Sequence, residues 1–281
     1  MIQAVRKMVL LAVVLTMAAA GTSAAVEWEY HTATLNGFEM QYAIIGEGEP
    51  LLLLHAWSGT MHDFDPFVEA FSQEYRLIIP DHRGHGGSTN PGGTVTFRQL
   101  ALDAFALLDH LGIDRVRAMG ASMGGITLLH MATMQPSRIT AMVIVGAGST
   151  FLPHCRASMA KADVNTYPER WWAEMRKKHR HGDEQIRAIA GMLNDFAADT
   201  TDVAFTHDQL GTIEAQTLII YGDRDWCFPV TMAAEIYDAI PNAALWVVPR
   251  GGHVPITGKH ADQFIETALE FLSGGPAGGR H

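Results

Sequence analysis

The chain has 281 residues, 48% of them hydrophobic, enough to bury a substantial core in one large domain and too many for an intrinsically disordered chain. The formal net charge of −10, from 20 basic and 30 acidic residues, disfavours nucleic acid and anionic lipid as partners. Neither a CxxC pair nor an HExxH helix occurs, so no metal or other cofactor is expected.

Residues 1–25 read as a secretory signal peptide. Arg6 and Lys7 give a positive start, an apolar run follows from Met8 to Ala20, and Ser23-Ala24-Ala25 offers a cleavage site, with Thr22-Ser23-Ala24 as a second option. An uncleaved anchor over Met8–Val26 is the alternative, but no stop-transfer charges follow it. Cleavage would remove two basic residues and no acidic one, and so make the chain more acidic. The expected location is secreted or periplasmic, without stable membrane insertion after cleavage. The oligomeric state is left open.

Residues 28–45 read as a hairpin turning at Asn36-Gly37. Short apolar runs at 51–54, 75–80, 115–121, 139–146, 215–221 and 244–248 read as strands buried on both faces. Between them lie helical patterns. The first runs from Phe97 to Leu111, with Thr96 as N-cap and Gly112 as stop. The others cover 123–135, 230–240 and 259–273. Strands alternating with helices predict an α/β fold with a doubly wound, mostly parallel sheet. Residues 149–213 break that rhythm, with charges, Trp171-Trp172 and helical patterns but no buried strand, and read as an inserted helical cap. The expected organisation is therefore a signal peptide (1–25), a core in two parts (26–148 and 214–273), the cap (149–213) and a Gly-rich disordered tail (274–281).

Gly120-Ala121-Ser122-Met123-Gly124 matches G-x-S-x-G between a strand and a helix, the context this motif requires. Such a turn forces its central residue into strained backbone angles and presents the serine at a helix N-terminus. An alcohol needs a base, and the base needs an orienting acid. With 14 histidines, a histidine alone says little. Gly251-Gly252-His253 follows the last strand, at the carboxyl edge of the sheet, whereas His260 falls inside a predicted helix. Tyr221-Gly222-Asp223-Arg224-Asp225 ends the preceding strand and offers two acids. Asp225 is favoured, because Gly222 would allow a turn toward the base, and Asp223 is the alternative. For the oxyanion hole, the donors expected are the backbone N–H groups of Met123 and Trp57. Trp57 lies in the loop His55-Ala56-Trp57-Ser58-Gly59, which His55 is expected to brace.

Together with Asp81-His82-Arg83-Gly84-His85-Gly86-Gly87-Ser88, these segments resemble the α/β-hydrolase superfamily over most of residues 28–273. The resemblance implies that Asp81 and Arg83 hold loops together and do not react. That superfamily commonly has His-Gly where this chain has His55-Ala56, which bears on the pose of the second oxyanion donor. Ser122 stands where haloalkane dehalogenases and epoxide hydrolases carry an Asp nucleophile. The S-M-G-G pattern is similar to that of esterases, enol-lactonases, carbon–carbon bond hydrolases and cofactor-free haloperoxidases, and does not choose among them.

The leading expectation is hydrolysis of a carboxylic ester, or a related small-molecule acyl compound, through an acyl-enzyme. A lactonase or carbon–carbon bond hydrolase using the same three residues is the runner-up, and a non-catalytic ligand-binding module the third reading. The pocket is expected between core and cap, lined by Trp57, Met123, Phe151, Trp171, Trp172, Phe228 and Val254. Cys155 and Cys227 both fall near that end of the fold. An exported chain could oxidise them, but sequence does not fix the separation that a bridge needs.

Overall fold

The computed structural model describes Val26 and residues 28–274; residues 1–25, on which the signal-peptide reading falls, and residues 275–281 of the tail lie outside the described residues. Strands β1 (Glu29–Leu35) and β2 (Phe38–Ile45) form the expected hairpin. Its turn has positive φ at both Asn36 (48°) and Gly37 (80°), the geometry that suits the twist of a two-residue hairpin. The remaining strands are β3 (Glu49–Leu54), β4 (Tyr75–Pro80), β5 (Val116–Ala121), β6 (Ile139–Val145), β7 (Gln216–Gly222) and β8 (Ala243–Val248). They assemble into one eight-stranded sheet in the order β1-β2-β4-β3-β5-β6-β7-β8. Pairing is parallel from β4 through β8, and β2 joins β4 antiparallel.

The continuous apolar runs arise because both faces of the sheet are covered. Successive leucines of β3 alternate between two layers, with Leu51 and Leu53 in one and Leu52 and Leu54 in the other. Helices α1 (Asp65–Phe71) and α9 (Ala261–Leu272) cover the first face, where Phe67 meets Phe264 edge-on at 5.1 Å between ring centres. Helices α2 (Phe97–His110), α3 (Met123–Met134) and α8 (Val230–Ala239) cover the second. Thr96 caps α2 by accepting from Gln99 N–H at 3.0 Å, and Gly112 beyond its end takes φ +67°, as the capping pattern predicted. Helix α1 has no counterpart in the sequence reading, being only seven residues long. The helix expected over 259–273 begins instead at Ala261, after a 3-10 turn at Gly258–His260.

Between β6 and β7 the chain leaves the sheet through α4 (Pro153–Met159), α5 (Glu169–Lys178), α6 (Gly182–Ala198) and the single turn α7 (His207–Leu210). An isolated bridge between Thr150 and Ala204 draws the start and end of this excursion together. Cys155 of α4 is disulfide-bonded to Cys227, which follows β7, with 5.1 Å between their Cα atoms. Among the described residues no helix is long and apolar enough to cross a membrane.

Candidate active site

Ser122 occupies the turn between β5 and α3 with φ 50° and ψ −110°, a conformation rarely adopted by residues other than glycine. The strain is held by bonds on both sides: Ser122 N–H donates to Val145 O at 2.7 Å, and Ile126 N–H donates to Ser122 O at 2.9 Å. Small neighbours are obligatory here. A Cβ on Gly120 would lie 2.5 Å from the backbone of Gly124, and one on Gly124 would lie 2.0 Å from Leu54 O. As first residue of α3, Met123 presents a backbone N–H that has no intrahelical acceptor.

Beside that turn, Ser122 Oγ lies 2.8 Å from His253 Nε2, and His253 Nδ1 lies 2.7 Å from Asp225 Oδ2. The Asp225 side chain is wholly buried and that of His253 is 24% exposed, so the carboxylate is shielded from water while the imidazole can reach a ligand. Asp225 Oδ1 is occupied on its own side, accepting from Cys227 N–H (2.8 Å) and Phe228 N–H (3.1 Å). Asp223, the alternative acid, points elsewhere and pairs loosely with Arg224 at 3.8 Å. Gly222 works by a different route from the one expected. It takes no left-handed angle; its missing Cβ admits the carbonyls of Gly251 and Gly252, each 2.2 Å from where that carbon would stand. The loop bearing His253 therefore passes directly over the loop bearing Asp225. Tyr221 lies next to last in β7, the strand beneath this crossing. Its buried phenol donates to Ala147 O, and burial together with the Asp225 charge pushes its pKa well above the usual phenol value.

Across the pocket, the His55–Gly59 loop is held by a cluster of four buried imidazoles, His55, His82, His85 and His179. His55 Nε2 accepts from His82 N–H at 3.0 Å, so His55 Nδ1 carries the proton and donates to Ala56 O at 2.8 Å. His82 Nε2 donates to His55 O at 3.2 Å. His85 Nε2 accepts from Ser58 N–H at 3.3 Å, and His179 Nδ1 accepts from Gly86 N–H at 2.9 Å. Burial keeps these rings neutral: it pushes His55 far down, His82 and His179 to about 4 and His85 to about 3. His55 is thus a brace, as expected. Ala56 takes no left-handed angle in place of the usual glycine: that angle falls on Ser58 (φ 59°), and Ala56 lines the pocket.

Asp81 and Arg83 also hold loops. Asp81 Oδ1 accepts from Met61 N–H and Oδ2 from Gly87 N–H, both at 2.8 Å. Arg83 forms a two-pronged pair with Asp103, 2.8 Å on each prong, beneath which lies the Phe38 ring.

Between core and cap lies a cavity of about 510 Å³ that opens onto Ser122 and His253. Of the residues expected there, Trp57, Met123, Phe151 and Phe228 line it. Trp171, Trp172 and Val254 do not. Helix α5 forms an outer layer of the cap. There Trp171 packs on Tyr167 (4.4 Å), and Trp172 lies between the guanidinium groups of Arg176 and Arg187. Val254 points away from its neighbour His253, into the layer beneath α1 and α9. The wall is supplied instead by Phe97, Ile126, Met159, Leu193 and Phe196, and the exposed Trp226 stands at the rim. In the sequence the five wall residues carry only the signal of helix packing. Trp57 also ties core to cap, its indole N–H donating to Ile189 O of α6 at 2.8 Å. Among the described residues no group of three or more His, Cys, Asp or Glu side chains is placed to hold a metal ion.

Residues 49–179 match the family model described as alpha/beta hydrolase fold. The chain is 28% identical over 275 residues to a 2-hydroxy-6-oxo-6-phenylhexa-2,4-dienoate hydrolase of Burkholderia cepacia, covering 86% of this chain and 93% of that relative. It superimposes on the enol-lactonase of Burkholderia xenovorans LB400 with a TM-score of 0.72 at 26% identity, over 86% of this chain and all of that one. A thermophilic esterase from Thermogutta terrifontis shares the fold alone, with a TM-score of 0.71 at 20% identity over 88% and 99% of the two chains. With the sheet order, the strained Ser122 turn and the hydrolases it matches along most of its length, the chain belongs to the α/β-hydrolase superfamily and is an α/β-hydrolase enzyme.

Proposed function

We propose that the enzyme hydrolyses a carboxylic ester of a small or medium apolar acid, with Ser122, His253 and Asp225 as its catalytic triad. The observation that carries this reading is the unbroken chain of short hydrogen bonds from Ser122 Oγ through His253 to Asp225. His253 Nε2 takes the hydroxyl proton as Oγ attacks the ester carbonyl, and Asp225 stabilises the imidazolium that forms. The Met123 and Trp57 N–H groups receive the oxyanion. The imidazolium then protonates the departing alkoxide. Water, activated by the same ring, cleaves the acyl-enzyme and regenerates Ser122.

The apolar wall and cavity volume fit an acyl group of modest size. The same triad would open a lactone or cleave a carbon–carbon bond next to a carbonyl. Resemblance to the enol-lactonase and to the dienoate hydrolase favours including both substrate classes in the test. The experiment is a panel of p-nitrophenyl esters of increasing acyl length, with lactones and vinylogous diketo acids, run beside Ser122→Ala and a fluorophosphonate label. Turnover fastest on esters, lost in the variant together with labelling, is expected. Labelling that persists in Ser122→Ala would remove the serine from this role, and faster turnover of lactones or diketo acids would reassign the substrate class.

We also assign the enzyme to an exported compartment, on the N-terminal pattern and on the disulfide, which an oxidising environment preserves. N-terminal sequencing of the exported protein should begin at Val26 or one residue earlier.

A further inference from the structure

We infer that the Cys155–Cys227 disulfide is a positioning element for the triad acid, an inference that rests on the triad reading above. The loop after β7, residues 223–229, carries Asp225. Its carboxylate is oriented by the N–H groups of Cys227 and Phe228, so the placement of Oδ2 against His253 depends on where residue 227 is held. Residue 227 is held by a covalent bond to Cys155 on α4, the first helix of the cap. A second tie runs alongside: His154 Nε2 donates to Trp226 O at 3.0 Å. Two consecutive residues of α4 thus grip two consecutive residues of the acid loop.

Helix α4 is itself anchored. The neighbouring Arg156 guanidinium donates to Phe196 O at 3.1 Å and to Ala197 O at 3.3 Å, at the end of α6. The force path therefore runs from α6 through Arg156 and α4, across the disulfide, to Asp225. The 72-residue separation of the two cysteines takes in most of the chain between β6 and β7, so one bond fixes both the cap and the acid. Both cysteines also line the cavity, which places the bridge in the substrate's wall. A crosslink that served stability alone would have no need to lie two residues from the acid.

The test compares wild type with C155A/C227A, at a temperature where circular dichroism shows both folded, on one p-nitrophenyl ester from pH 5 to 9. Loss of the bridge should lower kcat by about 10-fold with a smaller change in KM, since the acid's hold on the imidazolium is weakened. The acid limb of the kcat profile should also move to lower pH, because a displaced carboxylate favours the imidazolium less. C155V/C227V, which refills the lost volume, gives the same two readings if the alanine pair does not fold. A lower Tm with kcat and the acid limb unchanged would overturn the inference and leave the bridge as a staple. Failure of wild type to react with a fluorophosphonate would instead overturn the nucleophile assignment, so the two ideas fail separately.

Discussion

His253 and the cluster of His55, His82, His85 and His179 are built from one side chain and held in opposite ways. His253 is partly exposed and bonds only to side chains, a hydroxyl on one nitrogen and a carboxylate on the other. The cluster is buried, and its bonds run to backbone groups of the two loops it joins. A carboxylate partner lets an imidazole take a proton in passing. Backbone partners in a dry site fix each tautomer and forbid the charge. One arrangement is suited to moving a proton, the other to holding a loop still, although His82, His85 and His253 all stand in Gly-rich segments that look alike in the sequence.

The largest expected effect breaks the first arrangement. In Asp225→Asn, the amide oxygen must stay on the Cys227 and Phe228 N–H groups, which turns the amide nitrogen toward His253 Nδ1. His253 is then forced into the tautomer with its proton on Nε2, facing Ser122, and kcat should fall about 1,000- to 10,000-fold with the fold intact. Asp223→Asn should change kcat less than about 2-fold, as expected of a side chain outside the triad. Equal losses in the two variants would mean that the acid has been misassigned.

The second arrangement is tested by pH. In the unfolded chain these histidines take protons near pH 6.5, while in the folded chain burial delays protonation to about 4 or below. Between those values the unfolded state binds more protons. The cluster's contribution is therefore complete above about pH 6.5 and is lost as pH falls toward 4. Asp81, whose pKa burial raises, acts in the opposite sense just above its ordinary value and offsets a part near the acid end. Tm should drop by on the order of 15–30 °C from pH 7 to 5. A flat Tm over that range would show that the rings are not held neutral.

His55→Ala sharpens the same point at a single residue. It strands the His82 N–H in a dry site, which should lower stability by about 1–3 kcal/mol in a urea titration, and it loosens the His55–Gly59 loop. Loss of activity beyond the loss of folded protein would tie the brace to catalysis. The smallest effect is expected for Trp57→Phe, which keeps the aromatic wall and removes the bond to Ile189 O. It should cost about 0.5–1.5 kcal/mol and make the α6 amides exchange faster with deuterium.

Much of this was legible beforehand. The apolar runs gave the strands nearly to the residue because their period and length leave few alternatives, and Gly120 and Gly124 gave the Ser122 turn because only small residues pass there. The acid loop was harder. Asp223 and Asp225 share one Gly-rich turn, and the choice rests on which side chain meets the loop of Gly251-Gly252-His253, a contact between segments 28 residues apart. The pocket was least legible. Trp171 and Trp172 are large and apolar, yet helix α5 turns them into the outer cap, while Phe97 and Phe196 meet from helices about a hundred residues apart, 4.6 Å between ring centres.

By itself the sequence determined the order of the strands and of the core helices other than α1, the strained serine turn and the three residue types that acyl transfer needs. These follow from local rules of backbone sterics, periodicity and side-chain chemistry, which act over a few residues. The tertiary structure alone decided which acid faces the base, which aromatic residues wall the cavity, and that Cys155 and Cys227 join across the site. Each of these is a distance between segments remote in the chain, and such distances are set only when helices and loops pack together to fill one interior.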